Sequence, residues 1–447
     1  MKNSIQQKFI DQEYRWLGSL PSHWKPKRIK DVFGDFGSGT TPKSSNPNYY
    51  DNGKIPWLNT SDLNNDIVLD TKVKITDQAL AESGLKIYPE GSLAIAMYGQ
   101  GKTRGTVGLI DIPFTTNQAS CVMLKPKGIY PKYLLYWFNY KYDSIRAINV
   151  GASQPNMNQD FIKFLQIHFP PLREQTAIAN YLDTKTRAID KKVELLEKKI
   201  TYYQELSNSL INDTVTKGLK KSVVLEENEL GFKTPASWHN YRLKDLGKLY
   251  SGLSGKSGDD FNQDNNPDNK GFIPFTNIAS NTYLKKDHLG TVVIGENEKQ
   301  NKVRKGDLFF LMSSEGYEDI GKTAALAEDI EETYLNSFCK GYRLNHRKCN
   351  PFFLNYLLLS DYYRQLLIIE GKGFTRINLK MEKVNDFTVI IPDTKEEQEE
   401  IVEFLDSKLD TITKIIKNIQ TQIITLKELR KTLINDVVTG KIKVTQD

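Results

Sequence analysis

Gly316-Tyr317-Glu318-Asp319-Ile320-Gly321-Lys322-Thr323 has the spacing of a phosphate-binding loop. In such a loop backbone N–H groups ring a polyanion, the lysine reaches its outer phosphates, and the threonine hydroxyl holds magnesium. Here Glu318 and Asp319 put two carboxylates inside the ring, and the stretch Ala324 to Asp329 supplies no second acidic strand for the metal. The corresponding first-half stretch, Gly99-Gln100-Gly101-Lys102-Thr103, has Ala96 where the first glycine is required. Both read as surface loops. Pro392-Asp393 followed by Asp406-Ser407-Lys408 imitates a nuclease metal site, yet Asp406 and Lys408 fall within a helical pattern. Asp183 and Lys185 repeat them without a preceding Pro-Asp. The five histidines (His23, His168, His239, His288, His346) are isolated, and no Ser–His or Cys–His pairing can be built from them. No Asn/Asp-Pro-Pro-Tyr/Phe sequence of an adenine methyltransferase is present. Neither a catalytic constellation nor a metal site is expected in this chain.

The elements that would carry such residues announce themselves by repetition. Residues 174–216 reappear without a gap as 397–439, with 17 identical positions and the block Leu-Ile-Asn-Asp at 210–213 and again at 433–436. An offset of 223 residues is far beyond the ~20–50-residue unit of a solenoid. It is a whole domain plus a connector, so the chain reads as a tandem duplication. Within the repeat, Leu182, Ile189, Val193, Leu196, Ile200, Tyr203 and Leu210 follow 4–3 spacing, with Thr186 and Ser207 in the intervening places. The second copy gives Leu405, Leu409, Ile412, Ile416, Ile419, Ile423, Leu426 and Leu433, interrupted by Arg430. Such spacing specifies a coiled-coil seam. Prolines before each run and Gly218 and Gly440 after it mark the ends. Two matched helices in one chain are expected to pair antiparallel. The end of the second, near Val438–Lys441, then returns beside Trp24 and Arg28, and the chain is nearly circular.

Between the helices the composition shifts to Gly, Asn, Pro, Tyr and Phe with short apolar runs, as in an α+β domain rich in loops. The expected organisation is a globular domain over 1–171, a spacer helix over 172–217, a linker over 218–236, a second domain over 237–394, a second spacer helix over 395–440, and a tail over 441–447. The two domains share landmarks rather than overall identity: Pro21-Ser22-His23-Trp24 answers to Pro235-Ala236-Ser237-Trp238, and Ile55-Pro56-Trp57 to Ile273-Pro274-Phe275. A net charge of +6 over 447 residues is only mildly basic. Three cysteines, an odd number, argue for buried thiols in a reducing compartment. With a polar stretch over Met1–Trp16 and no apolar run near ~18 residues, the chain reads as soluble and cytoplasmic, without a membrane partner.

Taken in order, Trp16-Leu17-Gly18, Pro21 and Trp24, Ser38-Gly39-Thr40-Thr41-Pro42, Ile55-Pro56-Trp57-Leu58, Asp62-Leu63, Asn117-Gln118, Pro171-Leu172-Arg173-Glu174-Gln175 and Val215-Thr216-Lys217-Gly218-Leu219 carry a resemblance. The chain resembles the specificity subunit of type I restriction–modification systems over essentially its whole length. The second half departs from the pattern, with Ser251-Gly252-Leu253-Ser254-Gly255-Lys256 in place of the Gly-Thr-Pro element and Asn336-Ser337 in place of Asn-Gln.

The resemblance implies a non-catalytic DNA reader. Two target recognition domains each grip one half of a split, asymmetric sequence in double-stranded DNA, and the helices fix the unspecified gap. Two methyltransferase (M) subunits dock on it, and restriction (R) subunits join through them. S-adenosylmethionine, ATP and Mg belong to those partners, and no cofactor to this chain. The alternatives are a phosphate-loop NTPase using Gly316–Thr323, or a specificity subunit of a related modification system outside type I. On the DNA reading, polar and cationic side chains on Gly-flanked loops are the expected contacts. In the first half these are Ser38, Thr40, Lys43, Tyr98, Gln100, Lys102, Arg104, Gln154 and Asn156. In the second they are Ser254, Lys256, Ser313, Ser314, Tyr317, Lys322, Lys372, Thr375, Arg376 and Asn378.

Overall fold

A computed structural model of the chain describes residues 16–18, 20–99, 101–147, 157–220, 222–263, 265–345 and 348–444. The chain divides into two compact units, residues 1–196 with 421–447, and residues 197–420. Each holds one α+β domain and a stretch of both long helices.

In the first unit the main sheet is built from β1 (Phe33–Gly37), β2 (Asp66–Val68), β3 (Ser92–Ala96), β4 (Val107–Ile110) and β5 (Ser120–Pro126), in the spatial order β1-β5-β3-β4-β2. All pairs are antiparallel except β2 with β4, which is parallel. The central strand β3 shows why the run Ser92–Ala96 is apolar throughout. Leu93 and Ile95 enter one core while Ala94 and Ala96 enter another, so the two-residue alternation of a strand serves two buried faces. Helix α1 (Pro131–Ala147) packs on the first of these faces with Tyr133, Trp137 and Phe138 fully buried.

The second unit repeats this topology. Its strands β6 (Gly247–Ser251), β7 (Tyr283–Leu284), β8 (Leu308–Leu311), β9 (Thr323–Leu326) and β10 (Cys339–Leu344) take the order β6-β10-β8-β9-β7, again with one parallel pair, β7 with β9. In β8, Leu308 and Phe310 face one core and Phe309 and Leu311 the other. A three-stranded sheet accompanies each main sheet with the same mixture of one antiparallel and one parallel pair. The duplication therefore extends through domains whose sequences have largely diverged.

The long helices are α2 (Leu172–Lys217) and, after two helices Pro351–Leu359 and Asp361–Glu370, a last helix Lys395–Val438. In the first unit the start of α2 (Ile178, Ala179, Leu182) shares a core with the end of the last helix (Ile434, Val437, Val438), and Asp190 pairs with Arg430 Nε at 2.9 Å. In the second unit the end of α2, at Val215, meets the start of the last helix at Ile401, Val402 and Leu405. Start against end in both units means the segments run antiparallel. Every seam position from Leu182 to Leu210 and from Leu405 to Leu433 is buried or half-buried, whereas the off-seam Leu195, Ile424 and Leu429 are exposed.

Gly218 and Gly440 follow the helices with φ of +72° and +75°, the left-handed stop that a side chain resists. A Cβ on Gly440 would lie 2.5 Å from Pro21 and 3.0 Å from Trp24, so the end of the last helix does return to the Pro21–Trp24 segment. In the second unit Gly218 sits correspondingly against Trp238. The Trp24 indole N–H donates to Glu174 at 2.9 Å.

Each long helix is seated by a glutamine in its first turn. Gln175 is fully buried; its oxygen accepts from the Tyr130 N–H at 2.7 Å, and its amide donates to the Pro170 carbonyl at 2.8 Å and the Gly128 carbonyl at 3.1 Å. Gln398 does the same with the Asn350 N–H, the Pro392 carbonyl and the Lys348 carbonyl. Truncating either leaves buried backbone groups unpaired, at roughly 1–3 kcal/mol for each lost partner. Gln175→Ala is expected to lower the unfolding transition of the first unit and Gln398→Ala that of the second, each by about 2–4 kcal/mol. Hydrogen exchange resolved by unit checks this, and equal protection in both units of both variants would refute it.

Candidate nucleic-acid interface

The segment Ser38–Lys43 leaves β1 and is laced to the turn at Asn117–Gln118. Gly39 N–H donates to the Asn117 carbonyl, Thr40 N–H to the Thr116 carbonyl, and the Thr41 hydroxyl to the Gln118 side chain at 2.8 Å. A Cβ at Gly39 would fall 1.5 Å from the Thr116 carbonyl oxygen, which is why glycine stands there. The second unit keeps the device with other residues: a Cβ on Gly252 would lie 2.1 Å from the Asn336 oxygen, and Leu253 N–H donates to the Leu335 carbonyl at 2.8 Å. Ser38, Thr40 and Lys43 are exposed on the first loop, and Ser254 on its counterpart.

A second loop joins β3 to β4. The Arg146 guanidinium, from the last turn of α1, donates to the Gly101 carbonyl at 2.6 Å and the Arg104 carbonyl at 2.9 Å, and the Tyr142 hydroxyl donates to the Lys102 carbonyl. Arg364 repeats this clamp in the second unit by donating to the Glu318 carbonyl at 3.1 Å. Burial lowers the Arg364 pKa to about 10. Neither arginine was expected to matter, because each acts on a loop more than 40 residues away in sequence.

A third segment closes the cluster. Met157 N–H donates to the Met97 carbonyl at 3.1 Å, and Leu379 N–H to the Met312 carbonyl at 2.9 Å. In the second unit Ser313 pairs with Asn378 and Ser314 with Ile377 as short strands. The Arg376 guanidinium lies 5.0 Å over the Phe338 ring, tying this hairpin to the turn that holds Gly252. Three loop segments thus converge at one end of each sheet. Tyr317, Lys372, Thr375, Arg376 and Asn378 are exposed there in the second unit, and Lys102 in the first, with Tyr98 half-buried. Gln100, Gln154 and Asn156 lie outside the described residues.

Several expected contacts are turned to other work. Arg104 is buried and donates to the Arg146 carbonyl at 2.9 Å, so it braces its loop. Ser314 is buried and its hydroxyl accepts from Gly316 N–H. The Lys256 ammonium is paired with Glu298 at 2.5 Å, and that of Lys322 with Asp319 at 2.7 Å. The phosphate-loop reading loses its physical basis as well: Thr323 begins strand β9, so no helix N-terminus follows the glycines to concentrate N–H groups on an anion.

Several other chemistry-bearing residues have structural partners. Asp406 accepts from the Tyr356 hydroxyl at 2.6 Å and the Tyr283 hydroxyl at 3.0 Å, and Asp183 from the Tyr136 hydroxyl at 2.7 Å. His168 is buried; Nδ1 accepts from the Trp137 indole, so Nε2 carries the proton and donates to the Leu17 carbonyl. Desolvation, helped by nearby Lys141, lowers its pKa to about 4 and keeps it neutral. Burial pushes the Cys121, Cys339 and Cys349 thiols up to about 12, which leaves them unreactive near neutral pH. Among the described residues no three His, Cys, Asp or Glu side chains gather as a metal site, and no helix is long and apolar enough to cross a membrane.

Residues 21–201 and 235–425 both match the type I restriction modification DNA specificity domain. The chain belongs to that family and carries the domain twice. It is 24% identical to the MjaIX specificity subunit of a type I restriction enzyme from Methanocaldococcus jannaschii, over 97% of this chain and 98% of that one. It is also 24% identical to the EcoBI specificity subunit of Escherichia coli, over 93% and 86%. A solved structure described as the basis of complex assembly and conformational transition of the type I R-M system shares the fold with a TM-score of 0.73 at 15% identity, covering 95% of this chain and all of that one. The HsdS subunit from Thermoanaerobacter tengcongensis follows with a TM-score of 0.57 at 16% identity, covering 95% and 99%.

Proposed function

We propose that this chain is the non-catalytic DNA-reading subunit of a type I restriction–modification complex. Each domain grips one half of a split, asymmetric target through its converging loops. The helical spacer fixes the gap between the halves. Two M subunits dock on the duplicated scaffold and R subunits join through them. S-adenosylmethionine, ATP and Mg are held by those partners, in the cytoplasm.

One observation carries the reading: the two domains keep the same strand order while the loops at the converging end differ, Ser38-Gly39-Thr40-Thr41-Pro42 against Ser251-Gly252-Leu253-Ser254-Gly255. A constant frame with unlike loops suits two different half-sites. The test is sequencing of modified bases in cells expressing the chain with its partner methyltransferase. A bipartite adenine motif is expected, and a continuous motif or none refutes the reading. Lys322→Ala is expected to leave that methylation independent of ATP and to change DNA affinity at most several-fold. ATP turnover by the isolated chain, lost in that variant, would restore the phosphate-loop alternative.

A further inference from the structure

Phe374 is the most exposed large apolar side chain among the described residues, at 103% of its reference area. It is also held in place. Lys372 and Asn378 exchange backbone hydrogen bonds at 3.0 and 2.9 Å, and the Asn378 side-chain amide donates to the Arg376 carbonyl. Gly373, at φ +148°, passes so close to Arg376 that a Cβ would lie 2.0 Å from its carbonyl oxygen. Below the tip, Ile377 and Leu379 are buried in the core. The result is a tight hairpin rooted in the domain with a phenyl ring at its point.

The charge around the ring selects what it meets. From Gly371 to Lys380 the sequence holds Lys372, Arg376 and Lys380 and no carboxylate, while the paired strand Ser313–Ser314 runs on into exposed Glu315 and Glu318. Glu370, just before, is paired with Lys383 at 2.8 Å. The other exposed aromatics of this loop cluster carry a polar or cationic group, Phe338 under the Arg376 guanidinium and Tyr317 through its hydroxyl, unlike the apolar patch of a protein hot spot. A bare ring between cations fits a surface that alternates phosphates with an apolar stack. Duplex DNA is such a surface, and wedge side chains unstack single base steps in it.

We propose that Phe374 inserts between two base pairs of the half-site read by the second domain, while Lys372 and Arg376 hold the phosphates on either side. This rests on the DNA-reading function proposed above. Steps of the pyrimidine–purine type, which unstack most readily, are the expected location.

The test uses the full chain assembled with its partner methyltransferase and a duplex carrying the methylated motif, with 2-aminopurine placed at successive positions of both half-sites. With the natural chain, fluorescence is expected to rise several-fold at one step of the second-domain half-site. With Phe374→Ala it should return to the duplex value, and with Phe374→Trp it should reappear. Phe374→Ala should also weaken binding by roughly tenfold. A methyltransferase can extrude its target adenine, so a signal common to natural and Phe374→Ala complexes does not count. Tight, specific binding without a Phe374-dependent signal overturns the wedge and leaves the DNA reading intact. Loss of methyltransferase assembly in Phe374→Ala, with DNA unaltered, assigns the ring to a protein contact and also overturns it. Absence of sequence-specific binding by the natural complex defeats the underlying function instead.

Discussion

Replacing residues 21–170 by the same segment of a related chain is expected to change one half of the methylated sequence and leave the other as it was. The expectation rests on how the specificity loops are held within their own unit. The three loop segments of the first domain are tied to one another and to α1, through Asn117, Arg146 and Met157. Their connection to the helices is a defined seat: the core shared with Ile178, Leu182, Val437 and Val438, Trp24 on Glu174 and against Gly440, the Gly128 and Tyr130 backbone on Gln175, and Tyr136 on Asp183. A donor segment that keeps Pro21, Trp24 and Tyr136 carries its own loops onto an unchanged support. Each wrong base pair in a site costs about 1–3 kcal/mol, so methylation at the old first half-site should fall to background. Sequencing of modified adenines reads the outcome directly. Change in both half-sites would mean that the domains read DNA jointly, and the modular account would fail.

The helices were legible because their information is local. A 4–3 apolar spacing is visible in any window of two or three heptads, and the burial of the seam beside exposed Leu195 and Leu429 follows that spacing residue by residue. The sheets were not legible to the same degree. Their strands are two to seven residues long, and their order places β5 between β1 and β3, a matter of contacts between residues 24 (Ala96 with Ser120) to 93 (Phe33 with Pro126) apart in sequence. The central runs Ser92–Ala96 and Leu308–Leu311 are buried on both faces and so show no alternation. At the candidate interface the sequence marks loops that the fold brings together, but not which of their side chains stay exposed. Arg104 and Lys102 are alike as letters in a Gly-rich loop, yet one is buried under Arg146 and the other exposed. Gln175 and Gln398 were conspicuous as repeated letters, but only the structure shows each satisfying three buried backbone groups.

Lengthening both helices by one heptad is expected to lengthen the unspecified gap in the methylated motif by about three base pairs. The Asp190–Arg430 pair fixes the antiparallel register. Seven-residue insertions placed ten residues onward from Asp190 in α2 and ten back from Arg430 in the last helix, after Ile200 and Gln420, keep that antiparallel count in step. Seven residues restore the 4–3 phase, and the added helix is about 10 Å long against a duplex rise of ~3.4 Å per base pair. Three base pairs also turn the duplex by roughly 100°, whereas a supercoil of ~150 Å pitch turns by only about 25° over the same length. The altered chain should therefore select the longer gap by its rise and bind it more weakly, since the duplex must twist to bring the second half-site into phase. Insertion into one helix alone leaves a heptad of seam without a partner and should lower the melting temperature and the yield of folded chain. An unchanged gap in the doubly lengthened chain would show that the helices do not set the spacing.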